Sequence, residues 1–205
     1  MPRLERAFFG RPTLVVAREL LGQRLVRLDG GQRLAGLITE TEAYVGQEDL
    51  ACHARAGRTA RTAVMFGPPG IAYVYFTYGM HWLLNVVTEV EGFPAAVLIR
   101  GMWPEAGEAA MRRRRGIARA DRGNLRQPPT PLGRLTDGPA KLTQALRIDG
   151  GWNGHDLCGR GARLFVERAA PVREVQVVTG PRIGLNQTPE PWKSIAWNFR
   201  AWPGD

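Results

Sequence analysis

The sequence contains few of the residues on which disulfide frameworks and metal centres depend. It has 2 cysteines, Cys52 and Cys158, and 3 histidines that lie far apart. Two cysteines cannot build a disulfide framework, and the histidine spacing matches no zinc pattern. We therefore expect reduced thiols and no bound metal.

Acidic residues are scarce relative to basic ones. The chain has 28 Lys and Arg against 19 Asp and Glu, which gives a net charge of +9. This excess favours a polyanionic partner, either nucleic acid or an anionic membrane surface. A protein from an arginine-rich proteome would show the same balance without such a partner.

Long apolar runs are missing as well. No stretch approaches the roughly 20 apolar residues of a membrane-spanning helix, and no basic amphipathic anchor stands out. The first residues, M-P-R-L-E-R, lack the apolar segment of a secretion signal. We expect a cytoplasmic protein that has no membrane partner.

Length and pattern predict one α+β domain covering residues 1–205. A chain of 205 residues with 44% hydrophobic content can bury one sizeable core. Helices are predicted from Pro12 to a stop near Gly22, from Pro104 to Arg115, and from Asp137-Gly138-Pro139 through Leu146. Strands are predicted at Arg24–Leu28, Leu34–Val45, Ala95–Arg100, Leu164–Val166 and Val172–Thr179, with a long surface loop from Arg119 to Gly133 and a loop-like tail. Strands that outnumber helices and adjoin in sequence favour a mostly antiparallel sheet.

The stretch E-T-E-A-Y places two carboxylates and an aromatic ring at alternate positions. In an extended strand, Glu40, Glu42 and Tyr44 share one face. That face is either solvated or a site in which a partly desolvated carboxylate acts as a general base beside the ring. His53, after a polar turn, is placed to reach the same pocket.

A second group of candidate residues surrounds a predicted β-hairpin. Arg55, Arg58 and Arg61 precede it, and their spacing suits either phosphate contacts or a solvated face. The hairpin, Y-V-Y-F-T-Y-G-M-H-W-L-L-N, carries Tyr78 and Met80 around the turn residue Gly79. Such a tip is either a wedge that enters a stack of bases or an apolar turn tucked under another loop.

Together these segments resemble a known family, the alkyladenine (3-methylpurine) DNA glycosylases. The resemblance rests on T-E-A-Y, H-A-R-A-G-R, the hairpin, V-L-I-R-G and D-G-P-A-K-L-T-Q-A-L, in the family's order from roughly Pro12 to Phe199. It implies a single compact domain around a curved antiparallel sheet with a protruding hairpin. It also implies a monofunctional enzyme of bacterial, nucleoid-associated base excision repair that needs no metal or cofactor.

The resemblance further implies a substrate and a reaction. The partner is double-stranded DNA containing alkylated or deaminated purines of the 3-methyladenine, 7-methylguanine and hypoxanthine class. The enzyme flips the base out of the duplex and hydrolyses the N-glycosidic bond with water, leaving an abasic site. One domain without an obvious adhesive patch leads us to expect a monomer.

Roles follow from the positions that match the family's motifs. Glu42 matches the general base that activates water, and Arg100 the arginine that helps to hold that water, while Glu40 has no assigned catalytic role. The base pocket is formed by Tyr44, His53, Tyr75 and Asn85, intercalation falls to Tyr78 and Met80, and Lys141 joins Arg55 and Arg58 at the DNA backbone. Two departures are His81, where tyrosine is common, and the divergent middle of the C-terminal tail.

Two other functions stay open on the residues alone. Glu40 and Glu42 could serve as the carboxylate pair of a carbohydrate hydrolase, whose carboxyl groups lie ~5–9.5 Å apart. The basic and aromatic residues could also belong to a non-catalytic nucleic-acid binding module. Lys141 would suit a Schiff-base lyase, which the water-using family disfavours.

Overall fold

Eight strands form one antiparallel sheet within the part of the chain that the computed structural model describes, residues 1–117, 131–170, 172–173 and 176–202. The strands are β1 (Arg24–Asp29), β2 (Gln32–Val45), β3 (Ala72–Thr77), β4 (His81–Val87), β5 (Ala95–Ala106), β6 (Leu164–Glu167), β7 (Val178–Gly180) and β8 (Asn198–Arg200). Their order across the sheet is β3-β4-β5-β2-β1-β6. Strand β8 pairs with β2 and with β7.

The two longest strands, β2 and β5, curl the sheet. They are 14 and 12 residues long and pair from Ala35–Ala106 to Val45–Ala95, with register shifts beside Gly36 and on both sides of Glu40. An extra residue on one strand bends it and increases its twist. The bend therefore falls where β2 carries its glutamates.

Short helices pack against the sheet. They are α1 (Arg6–Phe9), α2 (Thr13–Glu19), α3 (Glu108–Arg114) and α4 (Pro139–Leu146), with 3-10 turns at His53–Ala56, Ala63–Phe66, Leu132–Arg134 and Gly150–Trp152. Val16 and Ala17 of α2 and Leu142 and Leu146 of α4 join Ile99 of the sheet in one buried core, whose removal from water is the main favourable term in folding. Among the described residues, no helix has the length and apolar content to cross a bilayer.

The predicted fold class is confirmed. The chain is a single compact α+β domain built on a curled antiparallel sheet. The strands predicted at Arg24–Leu28 and Leu34–Val45 pair directly as β1 and β2. The predicted hairpin is β3 and β4, with Gly79 in the turn at a φ of 66°.

The helix predicted from Pro104 to Arg115 begins later than expected. Pro104 lies in β5 opposite Gly36, at a bulge where the hydrogen-bond ladder is already interrupted. Strand β5 ends at Ala106, Gly107 has a φ of 82°, and α3 then runs from Glu108 to Arg114. The prediction was wrong because a proline at a bulge and a proline in a first helical turn look alike in sequence.

The C-terminal part also differs from the prediction. The strand predicted at Val172–Thr179 is confined to Val178–Gly180, and residues 171, 174 and 175 within or beside it lie outside the described part. The tail, predicted as loop, contains β8. The loop predicted from Arg119 to Gly133 lies outside the described residues up to 130, and its end belongs to the 3-10 turn Leu132–Arg134.

Replacing Gly36 by alanine tests the close approach of β2 and β5. An added Cβ would collide with the carbonyl oxygen of Trp103 and lie 3.1 Å from the Cα of Pro104. Because both neighbours are backbone, we expect Gly36→Ala to lower the free energy of unfolding by about 1–3 kcal/mol in urea denaturation. Gly161→Ala is the matched control, since its Cβ would meet nothing within 4 Å. Equal unfolding midpoints for the two variants would contradict the expectation.

Candidate active site

A cavity of about 350 Å³ opens beside the β3–β4 hairpin. Its volume falls within the ~300–1,000 Å³ range typical of small-molecule sites. Six predicted site residues line it: Tyr44, His53, Tyr75, Tyr78, Asn85 and Arg100. The fold thus brings residues of β2, β3, β4, β5 and the turn at His53 to one place.

Glu42 lies behind the wall of this cavity and has no exposed surface. Its Oε1 accepts hydrogen bonds from the backbone N–H of Ile183 at 2.7 Å and from Nδ2 of Asn198 at 3.1 Å. Its Oε2 accepts one from the Tyr44 hydroxyl at 2.8 Å. The interpretation of this strand face as solvated is therefore wrong at Glu42, where a buried carboxylate is held by donors.

Arg100, on the neighbouring strand β5, pairs with both glutamates of β2. Its Nε lies 3.1 Å from Oε1 of Glu40 and 3.4 Å from Oε1 of Glu42. Its Nη1 lies 3.4 Å from Oε2 of Glu42. Since Arg100 also lines the cavity, its guanidinium connects the buried carboxylates to the open space.

The ring of Tyr44 is supported from behind by a buried ion pair. Arg182 donates to both carboxylate oxygens of Asp49, at 2.5 and 2.9 Å, and neither side chain is exposed. The Arg182 guanidinium carbon lies 4.7 Å from the centre of the Tyr44 ring and 5.0 Å from that of Trp197. Burial, and secondly the charge of Glu42, raises the pKa of Tyr44 well above that of a free phenol. The Tyr44 hydroxyl therefore keeps its proton and remains a donor.

His53 forms a second aromatic wall together with two tyrosines. Its Nδ1 lies 2.9 Å from the hydroxyl of Tyr73, and its ring meets that of Tyr75 edge-on at 4.5 Å between centroids. Burial, with the charges of Arg61 and Arg55, lowers the pKa of His53 from 6.5 to about 4. The imidazole is thus neutral at pH 7. Burial also raises the pKa of Tyr73, whose hydroxyl stays protonated.

Asn85 is fixed at the cavity by the strand pairing itself. It lies opposite Tyr73 in the β3–β4 hairpin, and its Nδ2 donates to the carbonyl oxygen of Tyr73 at 3.0 Å. The side chain is buried, so the amide has one defined orientation at the base of the cavity.

The hairpin tip projects into solvent beside the cavity mouth. Tyr78 has a φ of 51° and is 81% exposed, and Met80 is 67% exposed. The alternative in which the tip is tucked under another loop is therefore wrong. Tyr78 and the exposed His81 also border the cavity, which places the apolar tip next to its entrance.

Comparison with known proteins identifies the family. The model of the family described as "Methylpurine-DNA glycosylase (MPG)" matches residues 7–202. The chain belongs to this family. It is 47% identical over 197 residues to a protein of Methanocella arvoryzae, covering 94% of this chain and 92% of the relative. It is 45% identical over 202 residues to one of Myxococcus xanthus, covering 98% and 90%. Both relatives are named "Putative 3-methyladenine DNA glycosylase".

Membership of the methylpurine-DNA glycosylase family settles the reaction class. The protein is a DNA glycosylase of the DNA-repair type, a hydrolase that cleaves N-glycosyl bonds, and DNA is its substrate. A third relative, from Carboxydothermus hydrogenoformans, is 49% identical over 183 residues, covering 89% of this chain and 88% of the relative, and has the same name. The expected resemblance is thereby confirmed.

The basic residues predicted to contact the DNA backbone are not among the residues that line the cavity. Arg55 is exposed and donates to the carbonyl oxygen of Leu50 at 3.0 Å, and Arg58 is exposed as well. Lys141 pairs with Asp137 at 2.7 Å at the start of α4. Arg61, which follows Arg58 in the sequence, lies at the aromatic wall, with its guanidinium carbon 5.2 Å from the centre of the Tyr75 ring.

Sequence reasoning missed several residues that support the site from segments far away in the sequence. Asp49, Arg182, Asn198 and the backbone of Ile183 all contribute, although none of them carries a local signal that marks it as functional. Asp49 and Arg182 are 133 positions apart, and pairing them requires the fold.

Within the described residues, no group of three or more His, Cys, Asp or Glu side chains is arranged to hold a metal ion. Cys52 lies at the cavity, but burial raises the pKa of its thiol to about 12. A thiol with that pKa is not a nucleophile near neutral pH.

The depressed pKa of His53 predicts a specific loss of stability in acid. The unfolded chain takes up a proton at His53 as the pH falls through 6.5, whereas the folded chain does so only near 4. Stability is therefore lost as the pH falls between these values. We expect His53→Gln to reduce the difference in free energy of unfolding between pH 7 and pH 5, measured by urea denaturation. The exposed His81→Gln should keep the wild-type difference, and an unchanged difference in His53→Gln would contradict the assignment.

Proposed function

We propose that this glycosylase is monofunctional and excises alkylated or deaminated purines from duplex DNA, using Glu42 to activate water. The observation that carries the proposal is the buried Glu42 carboxylate, joined to an aromatic cavity by Tyr44 and Arg100. The description of the family names methylpurine-DNA as what its glycosylases act on. The remaining contacts support a part in the reaction for each wall of the cavity.

Base flipping accounts for the cavity and the hairpin tip together. The glycosidic bond of a stacked base is out of reach, so the nucleotide must leave the helix. The exposed Tyr78 and Met80 lie beside the cavity mouth, where an apolar side chain can occupy the space left in the stack. We assign Tyr78 to that space and Met80 to the opposite strand.

The cavity walls suit a planar base. Tyr44 and Tyr75 offer aromatic surface for stacking, and the neutral His53 offers one ring nitrogen that is not engaged by Tyr73. Asn85 is buried, is held by Tyr73 and lines the cavity, and we assign it the role of discouraging the exocyclic amine of guanine. A purine that lacks this amine, or carries an extra methyl group and a positive charge, is the preferred occupant.

We place the attacking water beside the contact between Arg100 and Glu42, on the side of Arg100 that faces the cavity. Both contacts between these residues are 3.4 Å long, whereas charge-assisted hydrogen bonds of this kind are usually ~2.7–2.9 Å. A water at this position accepts from Arg100 and donates to Glu42. The Glu42 charge then stabilises the oxocarbenium-like sugar as the base departs.

Departure of the base depends on its charge. An alkylated purine is cationic and leaves without further protonation, whereas hypoxanthine requires a proton. His53 is protonated only near pH 4, so imidazolium is scarce at neutral pH. We assign protonation of neutral lesions to water and keep His53 as a neutral hydrogen-bonding wall.

The DNA backbone is held by the positive charge around the cavity. Arg55 is exposed on the 3-10 turn His53–Ala56, Arg58 is exposed just after that turn, and Lys141 lies in the first turn of α4. Such residues position the duplex without reading its sequence. We propose that the protein acts as a monomer through one domain covering residues 1–205.

The carbohydrate-hydrolase alternative is weaker on geometry. Glu40 and Glu42 both lie within 3.1 Å of the same Asn198 nitrogen, so they form one cluster instead of facing each other across a sugar. The lyase alternative is weaker too, because Lys141 is paired with Asp137 and is not among the residues that line the cavity.

Replacing Glu42 by glutamine tests both the reaction and the assignment of Glu42 as its general base. We expect single-turnover cleavage of duplexes carrying 3-methyladenine or hypoxanthine to fall by about 10²–10⁴-fold, the usual contribution of a general base, while lesion binding persists. Cleavage is read as alkali-labile abasic sites. Glu91→Gln is the control, because it removes the same charge from an exposed position. Wild-type cleavage by Glu42→Gln would exclude Glu42 as the base, and inactivity of the wild type on every lesion would exclude the proposed function.

Truncating Tyr78 tests the hairpin tip. We expect Tyr78→Ala to slow single-turnover cleavage of duplex DNA about tenfold or more, because an unfilled gap leaves the unstacking cost of a few kcal/mol uncompensated. Cleavage of the same lesion in single-stranded DNA, where no gap opens, should change much less. Val90→Ala is the control, since Val90 is 68% exposed on a different loop. Equal losses on both substrates would argue against intercalation.

A further inference from the structure

The short strand β8 places one amide between the two glutamates of β2. Asn198 lies opposite Glu42 in the β2–β8 register and has no exposed surface. Its Nδ2 donates to Oε1 of Glu40 at 2.8 Å and to Oε1 of Glu42 at 3.1 Å. An amide nitrogen carries two hydrogens, so each carboxylate can receive one.

The orientation of this amide is determined by its neighbours. Nε of Arg200 donates to Oδ1 of Asn198 at 2.8 Å. Guanidinium groups only donate, and ionised carboxylates only accept. A flipped amide would direct its oxygen at two carboxylates and its nitrogen at a guanidinium, so only one orientation satisfies all of these contacts.

We propose that Asn198 is a positioning residue that keeps Glu40 and Glu42 both ionised and holds Oε1 of Glu42, so that the lone pair of Oε2 not engaged by the Tyr44 hydroxyl is directed at the attacking water. The proposal rests on the proposed function of Glu42. Two neighbouring carboxylates without intervening donors tend to share one proton, and a protonated Glu42 cannot accept a proton from water. The amide prevents this by supplying one hydrogen to each carboxylate.

Asn198 shares the contact with both glutamates with the charged groups around the pair. Arg100 faces both carboxylates from β5, and Arg200 reaches Glu40 at 3.3 Å from β8. The phenols of Tyr44 and Tyr75 also face Glu42, and burial raises the pKa of each, so both remain uncharged. Among the named contacts, only Arg100 and Asn198 touch both glutamates, and Arg100 also faces the substrate cavity.

Asn198→Asp is the most direct variant, because it keeps the shape and removes both hydrogens. We expect the saturating single-turnover rate on a methylated or deaminated purine to fall about tenfold or more at pH 7, given the strength of hydrogen bonds to charged groups. The acidic limb of the pH–rate profile should move to higher pH, since protonation of the carboxylate cluster becomes easier. Binding to a duplex containing an abasic-site analogue should stay close to that of the wild type.

Asn153→Asp is the matched control. Asn153 is exposed, and its Oδ1 accepts from the backbone N–H of Val74 at 3.0 Å, a bond that a carboxylate can also accept. This variant adds the same charge and should keep the wild-type rate and pH profile. If Asn198→Asp does not fold, Arg200→Met is the second variant. It removes the half-exposed side chain that donates to Oδ1 of Asn198. It should shift the pH–rate profile in the same direction, by less.

Two results would overturn the proposal. One is a wild-type rate and pH profile in Asn198→Asp. The other is a rate loss that runs parallel to lost DNA binding or lost thermal stability, with the acidic limb unmoved, because that pattern indicates a structural role alone. If the wild type itself cleaves no lesion, the proposed function fails separately. The inference about the pair is then decided by ¹³C NMR titration: Glu42 should titrate at higher pH in Asn198→Asp than in the wild type, and coincident curves would refute it.

Discussion

Burial of the Glu42 carboxylate is the constraint on which the architecture around the cavity depends. A charge without access to water must find its donors within the fold, and the backbone of β2 is already engaged in the sheet. The donors come from β5 through Arg100, from β8 through Asn198 and from the backbone of Ile183. The C-terminal tail is therefore held against the sheet by the same carboxylate that we propose as the general base.

The Arg182–Asp49 pair connects the segments on which this arrangement depends. It joins the loop after β2 to the segment that supplies the Ile183 amide, and both partners are fully buried. Removing one partner of such a pair leaves an uncompensated charge, which typically costs ~3–5 kcal/mol. Because Arg182 also stacks on Tyr44, the aromatic wall of the cavity and the donor that supports Glu42 share one anchor.

Local sequence patterns were sufficient to predict a contact where both residues lie within one strand. Alternation in E-T-E-A-Y put Glu42 and Tyr44 on one face, and the hydrogen bond between them confirms it. The supporting contacts were out of reach because Asn198 and Glu42 are 156 positions apart, and their pairing depends on strand order. Strand β8 has only 3 residues, too few to show any alternation, and a single sequence does not specify which strand it joins.

The many donors around Glu42 bear on how the proposed reaction is driven. Ile183, Asn198 and Tyr44 engage three of the lone pairs of Glu42 and leave one for water, so we expect the carboxylate to act through its charge as well as by accepting a proton. Attraction between unit charges about 4 Å apart is ~4 kcal/mol at an effective dielectric of about 20, or roughly a thousandfold in rate. That attraction stabilises the cationic sugar but does nothing to protonate a departing base. A site of this kind therefore relies on the lesion for part of the driving force, which a methylated purine supplies through its own positive charge and an undamaged purine does not.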